Sequence, residues 1–172
     1  MFALKIVGTV CITGATTLYA RGLVNELSCR IAALKAIKQS FTTLKGELRY
    51  GVETLPSAFM HVGERCSCGQ ETVRDFFWNT GNRLKTENGS ILKEVWEEEA
   101  KKLAAAACLN GNECDNLIAV ADSLGYLDLT QQTNNIELYL QSVDESIEAL
   151  SGKYEQNSRM YTVSYTHLRA HE

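Results

Sequence analysis

Proline is almost missing from this 172-residue chain, which has Pro56 alone. With twelve glycines in an Ala, Leu, Lys and Glu-rich background, there are too few turn signals for the strand-every-8-to-12-residues rhythm of a sandwich or barrel. All-β architecture is therefore disfavoured. Also absent are a Walker A loop, a G-x-G-x-x-G following a strand, and the H-E-x-x-H pair of a zinc protease. Histidine is scarce: His61 stands alone, and His167 and His171 fall close to the end of the chain. A formal charge of −4 supplies no global electrostatic reason to bind nucleic acid. What remains, 45% hydrophobic and 22% charged, is the ordinary ratio of a globular domain, and the length corresponds to one domain.

Charge is missing from one segment and cations from another. Residues 2 to 20 hold a single charge, Lys5, and none from Ile6 to Ala20. That length approaches the roughly 20 apolar residues that cross a bilayer, with threonine hydroxyls able to bond back to helix carbonyls. The reading is a membrane-anchor helix over residues 1–21. Its rivals are a cleaved signal peptide, disfavoured because Leu18-Tyr19-Ala20 is a poor small-x-small site, and a buried core helix. Basic residues follow the span at Arg21, Arg30, Lys35 and Lys38, which by the positive-inside rule leaves the remainder in the cytoplasm. The second deficit runs from residue 103 to 152: eight acidic residues and no lysine or arginine, against six basic and two acidic residues in 21–49. Either an acidic last helix neighbours a basic first helix, or the acidic half is a docking face for a basic partner, with long-range charge setting encounter and orientation.

Between these landmarks the chain reads as helices. Leu27, Leu34, Phe41 and Leu48 recur every seven residues after Leu23, with Ile31, Ile37 and Leu44 between them, giving one apolar stripe on a long helix that ends at Tyr50-Gly51. Gly51 can take a left-handed cap, and Thr54 with Pro56 begins a second helix buried through Leu55, Phe59 and Val62. A third helix, about 70–86, buries Val73, Phe76, Phe77 and Leu84; Ser90 caps a fourth carrying Ile91, Leu92, Val95, Trp96 and Leu103. Asn110-Gly111-Asn112 turns into a fifth, with Leu117, Ile118, Ala121 and Leu124 inside and Gly125 as a positive-φ cap. After Asp128 or Thr130 as cap, Ile136, Leu140, Val143, Ile147, Leu150 and Tyr154 trace a second long helix to about Tyr161. The expected fold is all-α: an N-terminal membrane-anchor helix followed by a six-helix bundle over 22–161.

Chemistry-bearing groups are sparse. Consecutive helical residues point about 100° apart, so Glu97, Glu98 and Glu99 form a solvated face rather than an acid and base pair. Of the six cysteines (Cys11, Cys29, Cys66, Cys68, Cys108 and Cys114), reduced thiols are the default in a chain of this size on the cytoplasmic side. His61, Cys66 and Cys68 form the closest approach to a metal set but lack the C-x₂₋₄-C pairing of zinc sites, so no metal or cofactor is expected. Exposed carboxylates of the last helix, Glu137, Asp144, Glu145 and Glu148, are the candidate partner-binding residues.

Three stretches carry a family resemblance: Leu4-Lys5-Ile6-Val7-Gly8; Leu44 to Gly51 with Thr54 to Phe59; and Ser123 to Asp128 with Gln132, Ile136, Glu137, Tyr139 and Leu140. Over residues 3 to about 161 the chain resembles the stage III sporulation protein AB family. The motif positions are Glu47, Tyr50, Gly51, Leu55, Pro56, Ala58, Phe59, Leu124, Gly125 and Asp128. That family is similar to the cytoplasmic domain of the inner-membrane platform protein of type II secretion and type IV pilus machines. The resemblance implies a non-enzymatic assembly subunit of the channel joining mother cell and forespore. It also implies a location in the cell membrane with the bundle facing the mother-cell cytoplasm, and partners among the other channel subunits and the ATPase called stage III sporulation protein AA. Family members continue into a second membrane span, whereas residues 162–172 here have neither apolar length nor periodicity, and Val163 to Glu172 resembles the translated read of a sequencing adapter. That tail is read as non-native. The alternative from another class is a soluble or exported helical protein using His61, Cys66 and Cys68 as a metal or redox site.

Overall fold

The structure, a computed structural model, describes the backbone of residues 2–50, 54–66, 70–87, 89, 91–125 and 128–169, and the side chains of these except 2–7, 9–13, 17, 20 and 156–169. The described residues form seven helical segments and no strand: α1 (Phe2–Tyr50), α2 (Leu55–Glu64), α3 (Glu71–Thr86), α4 (Leu92–Ala106), α5 (Gly111–Ala119), α6 (Ala121–Leu124) and α7 (Leu129–Arg169). The all-α expectation is met. Among the described residues no helix is long and apolar enough to cross a membrane. The anchor expected over 1–21 is not found as a separate element: α1 runs unbroken from Phe2 to Tyr50, and much of the uncharged stretch lies outside the described side chains.

The stripe read from α1 is buried where it has partners. Leu34, Ile37, Phe41 and Leu44 are enclosed, Leu27, Ile31 and Leu48 are half-covered, and Leu23 is exposed. Against this stripe lie Phe59 and Val62 of α2, Val73, Phe76 and Phe77 of α3, Trp96 and Leu103 of α4, and Ile136 and Val143 of α7. At the centre the rings meet edge to face, Phe41 on Phe77 at 5.4 Å and Phe76 on Trp96 at 4.8 Å between centroids, the arrangement favoured by aromatic quadrupoles. Trp96 satisfies its buried Nε1–H by donating to the Leu117 carbonyl at 2.8 Å, which ties α4 to α5.

α1 and α7 are antiparallel. Lys38 pairs with Asp144 and Lys45 with Glu137, so moving seven residues forward on α1 moves seven residues back on α7. The C-terminal end of α1 and the N-terminal end of α7 therefore share one pole of the bundle.

Several local expectations are corrected. The single helix predicted across 112–124 is split at Val120, whose carbonyl accepts from both the amide of Ser123 (3.1 Å) and its hydroxyl (2.8 Å). Gly125 does follow as the cap, but with φ −105°, in the right-handed region, so no left-handed turn makes this corner. Ile91, rather than Ser90, stands at the N-cap position of α4 and is exposed; Ser90 and Gly51 lie outside the described residues. Helix α7 continues to Arg169 where the pattern ends near Tyr161, and the side chains from 156 onward lie outside the described residues.

Candidate functional site

Each acidic residue between 103 and 152 has its place set by the helix that carries it. Asn110 caps α5, its side chain accepting from the Glu113 amide at 2.7 Å while the Glu113 carboxylate accepts from the Asn110 amide at 3.0 Å. This reciprocal capping box fixes the Glu113 carboxylate, which then meets the Arg30 guanidinium through two 2.8 Å hydrogen bonds. Both members are largely shielded from water. The predicted residues of α7 divide. Glu137 pairs with Lys45, and Asp144 accepts from Lys38 at 2.6 Å through Oδ1, both across the α1–α7 seam. Glu145 and Glu148 are exposed and form no ion pair among the described residues. Two of the four carboxylates are thus engaged within the bundle, and two face solvent.

The acidic triplet of α4 does not behave uniformly. Glu97 accepts from Lys101 at 2.6 Å and Glu98 from Arg83 at 2.7 Å, as solvated residues do. Glu99, expected on the same solvated face, is only 3% exposed. It lies one turn on from the buried Val95 and Trp96, and Arg83 at 3.1 Å with Lys102 at 2.6 Å compensates its charge. Hydrogen bonds to Glu87 and then Glu98 push the Arg83 guanidinium up, and the same contact holds the Glu98 carboxyl below the usual range. Tyr139 is pushed up by burial and by the Glu113 charge behind it.

The described motif residues of the resemblance, which exclude Gly51, lie along the end of α1, in α2, and from the end of α6 to the start of α7. Glu47 accepts from Arg65 at 3.0 Å, linking α1 to the end of α2. Tyr50 is 80% exposed, with the Arg49 guanidinium 5.7 Å from its ring centroid. Leu55 and Pro56 are half-buried, Ala58 and Phe59 buried, and Phe59 packs at 5.4 Å against Trp96. The Pro56 carbonyl and Met60 press on Gly81 of α3 so closely that a Cβ there would sit 2.5 Å from the carbonyl oxygen. At the other corner Leu124 is buried with its carbonyl accepting from Gln132 at 3.2 Å, and Asp128 caps α7 through the Gln131 amide at 2.8 Å. These positions flank the α1–α2 and α6–α7 connections, and Asp128 rather than Thr130 is the cap of α7.

The described thiols do not gather at one place, although Cys29 stands beside Cys108. Cys66 lies 3.8 Å from the Ser40 hydroxyl and 3.8 Å from the Gln70 carbonyl, while Cys68 lies outside the described residues. Among the described residues no three His, Cys, Asp or Glu side chains converge as a metal set. Burial pushes the Cys114 and Cys108 thiols up, the latter aided by Cys29 beside it. Cys108 also adopts φ +55°, a turn conformation that no sequence signal marked.

This geometry defines an all-helical bundle in which a basic first helix is laid antiparallel on an acidic last helix. Within that class, the chain belongs to the stage III sporulation protein AB family, whose description matches residues 5–166. It is similar to stage III sporulation protein AB of Bacillus subtilis (strain 168), 24% identical over 157 residues, which cover 91% of this chain and 90% of that relative. A solved structure of stage III sporulation protein AB has the same fold, with a TM-score of 0.65 and 20% identity over 74% of this chain and 97% of that one.

Proposed function

We propose that this chain is a membrane-anchored, non-enzymatic assembly subunit of the channel between mother cell and forespore, and that its bundle docks the partner ATPase, stage III sporulation protein AA. Family membership over residues 5–166 is the observation that carries the reading. The shape of α1 supports it: the helix continues beyond the core toward the uncharged Ile6–Ala20 stretch, and side chains on its outlying part, among them Leu18 and Tyr19, are exposed. Residues 1–21 are the anchor, and the bundle faces the mother-cell cytoplasm. Glu145 and Glu148 are the carboxylates free to meet a basic surface, whereas Glu137 and Asp144 hold the bundle together. Co-purification of the full chain with the ATPase tests this. Glu145→Lys with Glu148→Lys should reduce capture, most at low salt where screening is least. Capture that ignores both the replacements and the salt would remove these residues from the interface.

A further inference from the structure

Two long faces of α7 differ in what they meet. Glu137 and Asp144 turn toward α1, as their ion pairs show. Leu138, Ser142 and Glu145, spaced i, i+4 and i+7, form the ridge next to them. Between this ridge and α5–α6 runs an open groove of about 530 Å³, with Leu138 and the edge of Tyr139 on one wall and Ala119 and Val120 on the other. Leu138 is 63% exposed, an apolar side chain held at the lip of a groove. Along the walls, Asn116 and Asn135 make no side-chain hydrogen bond among the described residues, so their amides face solvent unspent. The Ser142 hydroxyl donates to its own helix at Tyr139 O.

Charge decides the occupant. Every wall residue of this groove comes from the stretch 103–152, which has no lysine or arginine. Asp115 precedes Asn116, Asp122 lines the α6 side and Glu145 continues the Leu138 ridge. The cation seen at the rim is Lys93 of α4, held by Asp122 at 2.8 Å. The groove runs beside α7 from Asn135 to Ser142, roughly 10 Å at 1.5 Å per residue, which is about two turns of a partner helix, with Glu145 one turn beyond it. A helix suits two helical walls because its side-chain ridge packs between theirs while its backbone is already hydrogen-bonded; an extended strand would find no sheet edge to pair with. We infer that the α5–α6/α7 groove receives an amphipathic helix of a partner protein, its apolar ridge seated on Leu138 and its lysines or arginines meeting Asp115, Asp122 and Glu145. The inference rests on the reading that the bundle docks a protein, and it places that contact on the Leu138 ridge of α7, which Glu145 shares.

The test uses the full chain in detergent and a fluorescein-labelled 14-residue peptide with leucines at i, i+3, i+7 and i+10 flanked by lysines, read by anisotropy against the same detergent alone. Leu138→Glu should weaken binding by about tenfold and Glu145→Lys by about threefold at low salt, with helicity by circular dichroism unchanged. Glu64→Lys, on α2 outside the groove, should leave affinity within about twofold, and a peptide with glutamates for lysines should not bind. A photoreactive benzoylphenylalanine in place of Leu138 should crosslink to the lysine peptide. Equal binding by wild type, L138E and E145K, or equal binding of the glutamate peptide, overturns the inference. So does a dimer of the full chain that Leu138→Glu dissolves and the peptide fails to displace. Running the ATPase in parallel separates the two readings: ATPase capture indifferent to L138E sinks the groove and leaves docking standing, whereas peptide binding without ATPase capture does the reverse.

Discussion

Glu113 serves two purposes with one carboxylate: it closes the cap of α5 and neutralises Arg30 of α1, 83 residues away. Removing one member of a shielded, hydrogen-bonded pair costs more than the pair contributes, because the survivor is left without compensation. Glu113→Ala should therefore lower stability by about 3 kcal/mol, combining the stranded Arg30 with the lost cap. Glu113→Gln should cost less, since an amide oxygen still accepts from the backbone. Urea unfolding of the full chain followed by circular dichroism measures both, and a midpoint shift as small as that of an exposed acid would mean that Arg30 finds water instead. Such residues were the least legible in the sequence. A carboxylate reads as surface by default, and only the position of the capping asparagine and the turn-by-turn neighbours of Glu99 and Glu113 distinguish these two from Glu98 or Asp115.

Among the elements, α2 and α3 show how a glycine can matter without any unusual backbone angle. Gly81 is required by proximity: Pro56 and Met60 occupy the space of a side chain. Gly81→Ala should push the two helices apart and lower stability by about 1–3 kcal/mol. Gly125→Ala should be nearly neutral, because its φ is right-handed and a Cβ would meet Leu92 at an ordinary 3.6 Å. Thermal melts of the two variants side by side check the contrast, and an inverted order would show that the α6–α7 corner needs glycine after all. The extents of α2 and α3, the α1 stripe and the Asn110 turn were readable from spacing alone. The Gly125 conformation was not, since a glycine after a helix signals a cap without stating its hand, and nothing in the spacing marks the break at Val120, whose carbonyl accepts from the Ser123 amide and hydroxyl.

At the scale of the whole molecule, the uneven charge of the two halves was plain in the sequence, but its division between holding the bundle and facing outward needed the register of α1 on α7. The seam can be tested by exchange. Lys38→Glu and Asp144→Lys should each destabilise by up to about 1 kcal/mol, and the double replacement should recover most of the loss, since both groups are half exposed. Denaturant midpoints for the four proteins give the coupling, and additive losses would deny that the two charges meet. The antiparallel register also has a mechanical meaning. Because α1 and α7 run in opposite directions, the outlying ends of both leave the same end of the bundle, while the corners around Pro56 and Asp128 stand at the other. From Phe2 to Arg30 the first helix spans roughly 40 Å without an intervening loop. A displacement applied at its base would arrive at the far corners as the movement of a rod rather than of a tether, so bending stiffness, more than binding strength, would set how faithfully one end of this protein reports to the other.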